Sequence, residues 1–198
     1  MTNRGQATKS EIVDRATRLA RVVGLEGVTI GQLALDLGLS KSGLFAHFGS
    51  KEALQLAILD HEAARFVDAV IRPALSRPRG AARLTTLLDR WLGWAFDEPD
   101  AGGCLFVAAS VELDDRPGPV RDRLTAHTRD LLESMAQMVR SGQADGKFRT
   151  DADPEQVAFE IHGFVLAAHD LVRLCGDDRG VDRARVAFAR LLGSIAAP

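Results

Sequence analysis

The sequence predicts an all-α protein, and three observations carry that prediction. Apolar residues recur at three- and four-residue spacing through one segment after another, helix-opening motifs precede several of those segments, and no strand-like alternation stands out. Pro- and Gly-bearing breaks punctuate the pattern without any internal repeat.

Thr8-Lys9-Ser10-Glu11 has the form of a capping box and opens a first helix whose Ile12, Ala16, Leu19 and Val23 make one stripe, ending near Gly24. A second capping box, Thr29-Ile30-Gly31-Gln32, starts the next helix, with Ile30, Leu33, Ala34 and Leu37 on one face. Gly38 follows as the residue best suited to a left-handed turn. Leu39 fills that turn, Ser40 caps a third helix, and Leu44 and Phe48 give it an inward face at i and i+4. Two short helices around a glycine turn describe a helix-turn-helix, which points to double-stranded DNA. Lys41, Ser42, Gly43, Phe45, Ala46 and His47 remain on its other faces. Lys41 can donate to guanine O6 and N7, and Ser42 can donate or accept. Gly43 has no side chain and would let the backbone approach a groove closely. Ser50 is a candidate N-cap, so the Lys51 ammonium and the free N–H groups of the next helix could converge on a phosphate.

The stretch GLFAHFGSKEAL, with Ile12, Ala16, Leu19, Gly24 and Gly27 before it, resembles the signature of TetR-family transcriptional regulators over roughly the first quarter of the chain. The resemblance implies that Thr29, Ser40, Lys41, Ser42 and Gly43 belong to the DNA-facing motif, with Lys41 to Gly43 at the leading end of the recognition helix. It also implies that Phe45, His47 and Lys51 lie along the phosphates. The family usually has a tyrosine where this chain has Phe45, so one phosphate hydrogen bond is missing. The implied division is a helix-turn-helix domain over residues 1–51, joined through a long fourth helix to a helical effector-binding and dimerisation domain over 52–198.

Composition sets bounds around this reading. The 198 residues suffice for one substantial core and a small accessory domain. Net charge is −2, with a local +3 over residues 1–51 and −5 beyond, so a basic end sits on an acidic body. No apolar run is long enough to span a bilayer, and the polar opening MTNRGQATKSE lacks a signal-peptide core, so a cytoplasmic location without membrane partners is expected. Cys104 and Cys175 stand apart from any Cys/His cluster, which predicts neither a metal site nor a disulfide framework. Cys104 reads as a small buried thiol, and a redox role would need a nearby cation or helix N-terminus to lower its pKa.

The remaining chain predicts a helix from about Ser50 to Arg72, a break at Pro73, Pro78 and Gly80, and then helices over 81–96, up to 113, 119–141, 154–174 and 181–195. Its GGC, RPGPVRD and GKFRTDADPEQVAFEIHGF stretches resemble, more loosely, the C-terminal domains of the same family. Val157, Ile161, Phe164, Ala168 and Leu171, and then Val181, Ala184, Phe188, Leu191 and Ile195, form two apolar stripes. Periodicity leaves open whether they face a partner or their own core. The resemblance implies homodimerisation through these two helices, with Ile161, Phe164, Ala168, Ala184, Phe188, Leu191 and Ile195 in the interface and two operator half-sites read by the dimer.

Trp91, Trp94, Phe96, Phe106, His127, Met135, Met138, Phe159, His162 and His169 are candidates to line a cavity for a small apolar or amphipathic effector, although core packing is the more ordinary role of such residues. No cofactor is expected. An all-helical enzyme is the competing class, but the chain has no GxSxG, HExxH, GxxxxGKS or post-strand GxGxxG motif. A DNA-binding regulator without a ligand is the other alternative. The expected function is a ligand-responsive repressor that binds a palindromic operator as a homodimer.

Overall fold

The computed structural model describes residues 9–97 and 102–198, and the expected capping residue Thr8 lies outside them. The helices are α1 (Lys9–Val23), α2 (Ile30–Asp36), α3 (Lys41–Phe48), α4 (Lys51–Phe66), α5 (Arg72–Leu75), α6 (Ala81–Phe96), α7 (Leu105–Leu113), α8 (Pro119–Ala144), α9 (Pro154–His169) and α10 (Arg179–Ile195). Wider π-helical turns follow α4 at Val67–Ile71 and α9 at Asp170–Leu174. Extended pairing among the described residues is confined to a bridge between Phe148 and Ala196.

Packing divides the chain into two compact units, residues 1–65 with 99–126 and residues 66–98 with 127–198. The division differs from the 51/52 boundary read from the motif, because α7 and the start of α8 fold into the first unit. Its core joins Ile12, Ala16 and Ala20 of α1, Leu33 and Ala34 of α2, and Leu44 of α3 to Leu54, Ile58 and Leu59 of α4. Leu105, Ala109 and Leu113 of α7, with Val120 and Leu124 of α8, complete it. Each large aliphatic side chain taken wholly out of water there is worth about 1.5–3 kcal/mol. Val23, expected on the inward stripe of α1, is exposed, and Val13 and Ala20 are buried in its place.

The second unit's core is built on Leu84, Leu87, Leu88, Trp91 and Leu92 of α6, Met135, Met138 and Val139 of α8, and the inner faces of α9 and α10. Ile161, Ala168, Ala184, Phe188, Leu191 and Ile195 are all buried within it, and Phe164 packs against it half-buried. The residues expected in a dimer interface are thus packed within their own unit. The stripes are real, but α9 and α10 turn them toward each other and toward α6.

Pro73 does not end the fourth helix as expected. The Arg72 N–H donates to the Val67 carbonyl, five residues back, so the π-helical register absorbs the hydrogen bond that proline cannot make, and the helical path runs on to Leu75. At the other end of the chain, the Arg149 N–H donates to Ile195 O at 2.9 Å and the Ala197 N–H to Lys147 O at 3.1 Å.

One close contact in this unit is directly testable. A Cβ on Gly142 would sit 2.4 Å from the Phe148 ring. Gly142→Ala should therefore destabilise the protein by about 1–3 kcal/mol, overlap outweighing the gain in helix propensity. Thermal or urea unfolding checks this, and an unchanged or raised midpoint would show that the ring yields freely.

Candidate functional site

The helix-turn-helix is shaped by its caps. Thr29 Oγ1 accepts from the Gln32 N–H at 3.2 Å, and Ser40 Oγ accepts from the Gly43 N–H at 3.0 Å. Between them Gly38 adopts φ +64°, the Leu39 N–H reaches Ala34 O at 2.9 Å and the Gly38 N–H reaches Leu35 O at 3.2 Å. That is the paired bonding of a Schellman stop, and it fixes the angle at which α3 leaves α2. Arg15 of α1 grips both carboxylate oxygens of Asp36, bracing the end of α2 from outside.

With Leu44 buried and Phe48 half-buried, α3 turns Ser42, Phe45 and Ala46 outward, and Phe45 is 49% exposed. Lys41 and His47, also exposed, flank the inward face. The Lys41 stem lies over α2, with its Cε 3.1 Å from where a Cβ on Gly31 would stand. Ser42 Oγ shares a hydrogen bond with Ser40 Oγ at 3.2 Å. A Cβ on Gly43 would come 3.0 Å from Ser40 Oγ, so the cap itself accounts for glycine at that position.

Lys51, expected along the phosphates, has partners within the protein. Its Nζ donates to Glu26 O at 2.7 Å and to Glu26 Oε2 at 3.2 Å, so the ammonium ties the α1–α2 turn to the start of α4. Glu26 is a hub that the sequence reading missed. It also accepts from Gln55 Nε2 at 2.7 Å, and Arg116 approaches to 3.8 Å. Gln55, followed by Lys51 and Arg116, holds the Glu26 carboxyl below the usual carboxylate range against the opposing effect of partial burial. The Glu26 N–H in turn donates to Glu112 of α7 at 3.0 Å.

In the second unit, Phe66 meets Trp91 and Trp94 edge-on at 5.6 and 5.9 Å, and His162 stacks on Trp91 at 5.9 Å. Met135 is buried in the same core. Trp91 is almost fully buried, yet its indole Nε1 has no hydrogen-bond partner. Burial pushes His162 below the ordinary histidine range and favours its neutral form. Three expected effector residues lie apart from this cluster. Phe106 packs on the first unit's core, His127 is partly exposed at the head of the second unit's share of α8, and Phe159 is 66% exposed on α9. A separate cavity of about 330 Å³ has Ile71, Leu75 and Met138 for apolar walls and Arg79, Arg83 and Glu133 among its polar residues. None of Trp91, Trp94, Met135 or His162 borders it.

Comparison with known proteins places this geometry. Residues 12–58 match the model for bacterial regulatory proteins of the tetR family, and residues 80–188 match the tetracyclin repressor-like C-terminal domain. The chain belongs to the TetR family of transcriptional regulators. It is 38% identical over 150 residues to the HTH-type transcriptional repressor AcnR of Corynebacterium glutamicum, covering 75% of this chain and 72% of that protein. A TetR transcriptional regulator from Chloroflexus aurantiacus superposes with a TM-score of 0.85 at 26% identity, over 94% of each chain. AibR, crystallised with isovaleryl coenzyme A and operator DNA, shares the fold with a TM-score of 0.71 at 19% identity, over 96% of this chain and 98% of that one.

TetR-family regulators bind operator DNA and dimerise. Among the described residues no group of His, Cys, Asp and Glu is placed to hold a metal, and no helix is long and apolar enough to cross a membrane. Cys104 is buried at the N-terminal end of α7, whereas Cys175 is exposed.

The Glu26 hub has a signed pH dependence. Because its folded-state pKa is depressed, its contribution to stability is present above the ordinary carboxylate range and is lost as pH falls through it. Thermal melts of wild type and Glu26→Gln between about pH 3 and pH 7 should show the wild type's advantage vanishing on acidification. Curves that stay parallel throughout would remove Glu26 from this role.

Proposed function

We propose that this TetR-family regulator is a repressor that binds a palindromic operator as a homodimer and is released by a small effector held in residues 66–98 and 127–198. The observation that carries the DNA half is the outward face of α3. Ser42, Phe45 and Ala46 project from a short helix whose N-terminus is capped by Ser40 and whose angle is fixed at Gly38. On this reading Lys41 and Ser42 read base edges, Gly43 lets the backbone close on the groove, and Thr29, Ser40, Phe45 and His47 lie toward the phosphates. Lys51 acts indirectly, by fixing the start of α4 to the turn at Glu26.

The dimer face is reassigned to the outer sides of α9 and α10. Phe159 and Val186 are exposed there, Ala167 and Ala189 lie beside them, and Gly163 and Gly193 leave open space above the backbone. An exposed aromatic among small residues at helical spacing suits close packing by a second copy of the chain. The effector half draws support from the 330 Å³ cavity, whose apolar walls and arginines suit an amphipathic molecule, and from the AibR neighbour, which holds an acyl coenzyme A.

Sequence selection on randomised DNA, followed by binding of the selected site over a range of salt concentrations, tests the DNA half. Lys41→Ala should relax base preference by about 1–3 kcal/mol at one position of each half-site. Lys51→Ala should weaken binding while leaving the salt slope unchanged, and a slope reduced by about one unit would make it a phosphate contact after all.

Phe159→Glu should convert the dimer to monomer in analytical ultracentrifugation and cut operator affinity with it. A dimer that survives both this change and Val186→Glu would place the interface elsewhere.

A further inference from the structure

The most unusual chemistry in the first unit lies away from the DNA-facing helix. Glu62 of α4 is 0% exposed, and its Oε1 has no hydrogen-bond partner. Its nearest cations are Arg65 Nη1, 3.3 Å from Oε2, and Arg21 Nε of α1, 3.8 Å from Oε1. The Arg21 side chain is only 7% exposed, so both charges lie within the core. Yet the Arg21 Nε–H is directed at the Gly103 carbonyl, 3.2 Å away, just before α7. The two chain segments are pressed together at that point. Gly102 has φ +80°, and a Cβ on it would stand 2.0 Å from the Arg21 carbonyl oxygen.

The Nε of arginine carries a single hydrogen. Gly103 O accepts it at 3.2 Å, whereas Glu62 Oε1, 3.8 Å from the same nitrogen, lies beyond hydrogen-bond distance. In the conformation described the neutral carbonyl holds the proton and the buried carboxylate oxygen goes without. If the start of α7 moves off, the same N–H is left facing the Glu62 carboxylate.

We propose that Arg21 is a two-position latch between α1 and α7, bonded to the Gly103 carbonyl in the conformation described and turning to the Glu62 carboxylate when the start of α7 withdraws. The first position leaves Glu62 Oε1 without a hydrogen bond and the second gives up the bond to Gly103, so the two compete and a bias on α7 selects between them. The latch acts on α1, whose Ile12, Ala16 and Ala20 share a core with α2 and α3 and whose Arg15 holds Asp36. That last consequence rests on reading α1–α3 as the DNA-binding unit, whereas the latch itself does not.

The charge on Glu62 decides how strongly the second position competes. Burial pushes its carboxyl above the usual carboxylate range, with Arg21 and Arg65 pulling it back and Asp14 adding to the rise. Asp14 and His61, whose Nε2 lies 3.5 Å from Asp14 Oδ1, are further titratable groups at this junction. A neutral Glu62 leaves Arg21 on Gly103, and an ionised one draws it away.

Amide hydrogen exchange of the full-length, DNA-free protein tests the latch without knowledge of operator or effector. Peptides covering Gly102 to Ala109 are followed at about pH 5.5 and pH 8, with intrinsic exchange rates divided out. Wild type should lose protection at the higher pH, by at most about ten-fold per pH unit for a single titrating group. Glu62→Gln should stay protected at both values, and His61→Gln should follow wild type. Arg21→Lys, which keeps the charge but lacks the Nε–H, should exchange fast at both. A wild type whose protection does not depend on pH, a Glu62→Gln protein that retains the wild-type response, a His61→Gln protein that loses it, or a well-protected Arg21→Lys protein would each overturn the proposal.

Discussion

The contact on which the first unit depends is the close approach of Gly102 to the end of α1, where no side chain fits beside the Arg21 carbonyl. From it follow the entry of Leu105, Ala109 and Leu113 into the core beneath α1–α4 and the position of Glu112, which receives the Glu26 N–H. A three-helix unit of about fifty residues buries little surface of its own, and segments of this size are marginal alone. Recruiting α7 and the first turns of α8 enlarges the core without lengthening the DNA-facing motif. The cost is that α1 is no longer independent of residues far along the chain, which is also the condition for a signal to reach it.

The local features of this arrangement were legible in the sequence, and the distant ones were not. Thr29, Ser40 and Gly38 could be assigned because a cap or a stop is decided within six residues by hydrogen bonds to the adjacent backbone. Lys51 could not, since its partner Glu26 lies twenty-five residues away and nothing in the spacing marks the pair. The stripes on α9 and α10 were correctly seen as apolar but could not declare what they face. A period of 3.6 identifies a buried side and says nothing of whose core buries it. Pro73 misled for a related reason, because a π-helical turn before it removes the missing bond that makes proline a breaker. Glu62 did leave a signal. It extends the inward series Leu54 and Ile58 by another four residues, and a carboxylate in an apolar row marks a buried partner or a functional acid.

The charge pattern acquires a physical meaning once the contacts are known. Much of the local +3 of the first fifty-one residues is committed within the protein: Arg15 to Asp36, Arg18 to Asp14, Arg21 to Gly103 and Lys51 to Glu26. Among the described residues of that segment few cations remain outside these contacts, and Phe45 offers none of the hydrogen bonding that the family's usual tyrosine would. Under the operator-binding reading, affinity must then lean on groove fit at Lys41 to Gly43 and on two half-sites acting together. Dimerisation matters more for such a protein than for one with a strongly basic head, because doubling a weak contact set is the remaining route to a stable complex.

Among the described residues, buried polar atoms without a hydrogen-bond partner include Glu62 Oε1 in the first unit and Trp91 Nε1 in the second. A buried donor or acceptor without a partner raises the energy of its conformation by about 1–3 kcal/mol relative to one in which it is paired. The conformation described is therefore held above its best hydrogen bonding at two places, one beside α1 and one in the aromatic cluster with His162. Under the effector reading, a ligand that reached Trp91 and offered an acceptor to its indole N–H would gain a bond that the conformation described lacks. Thermodynamically it needs only the differential affinity that separates the two states. Where that gap is already narrowed by an unpaired buried group, a ligand of modest affinity is enough to move the population.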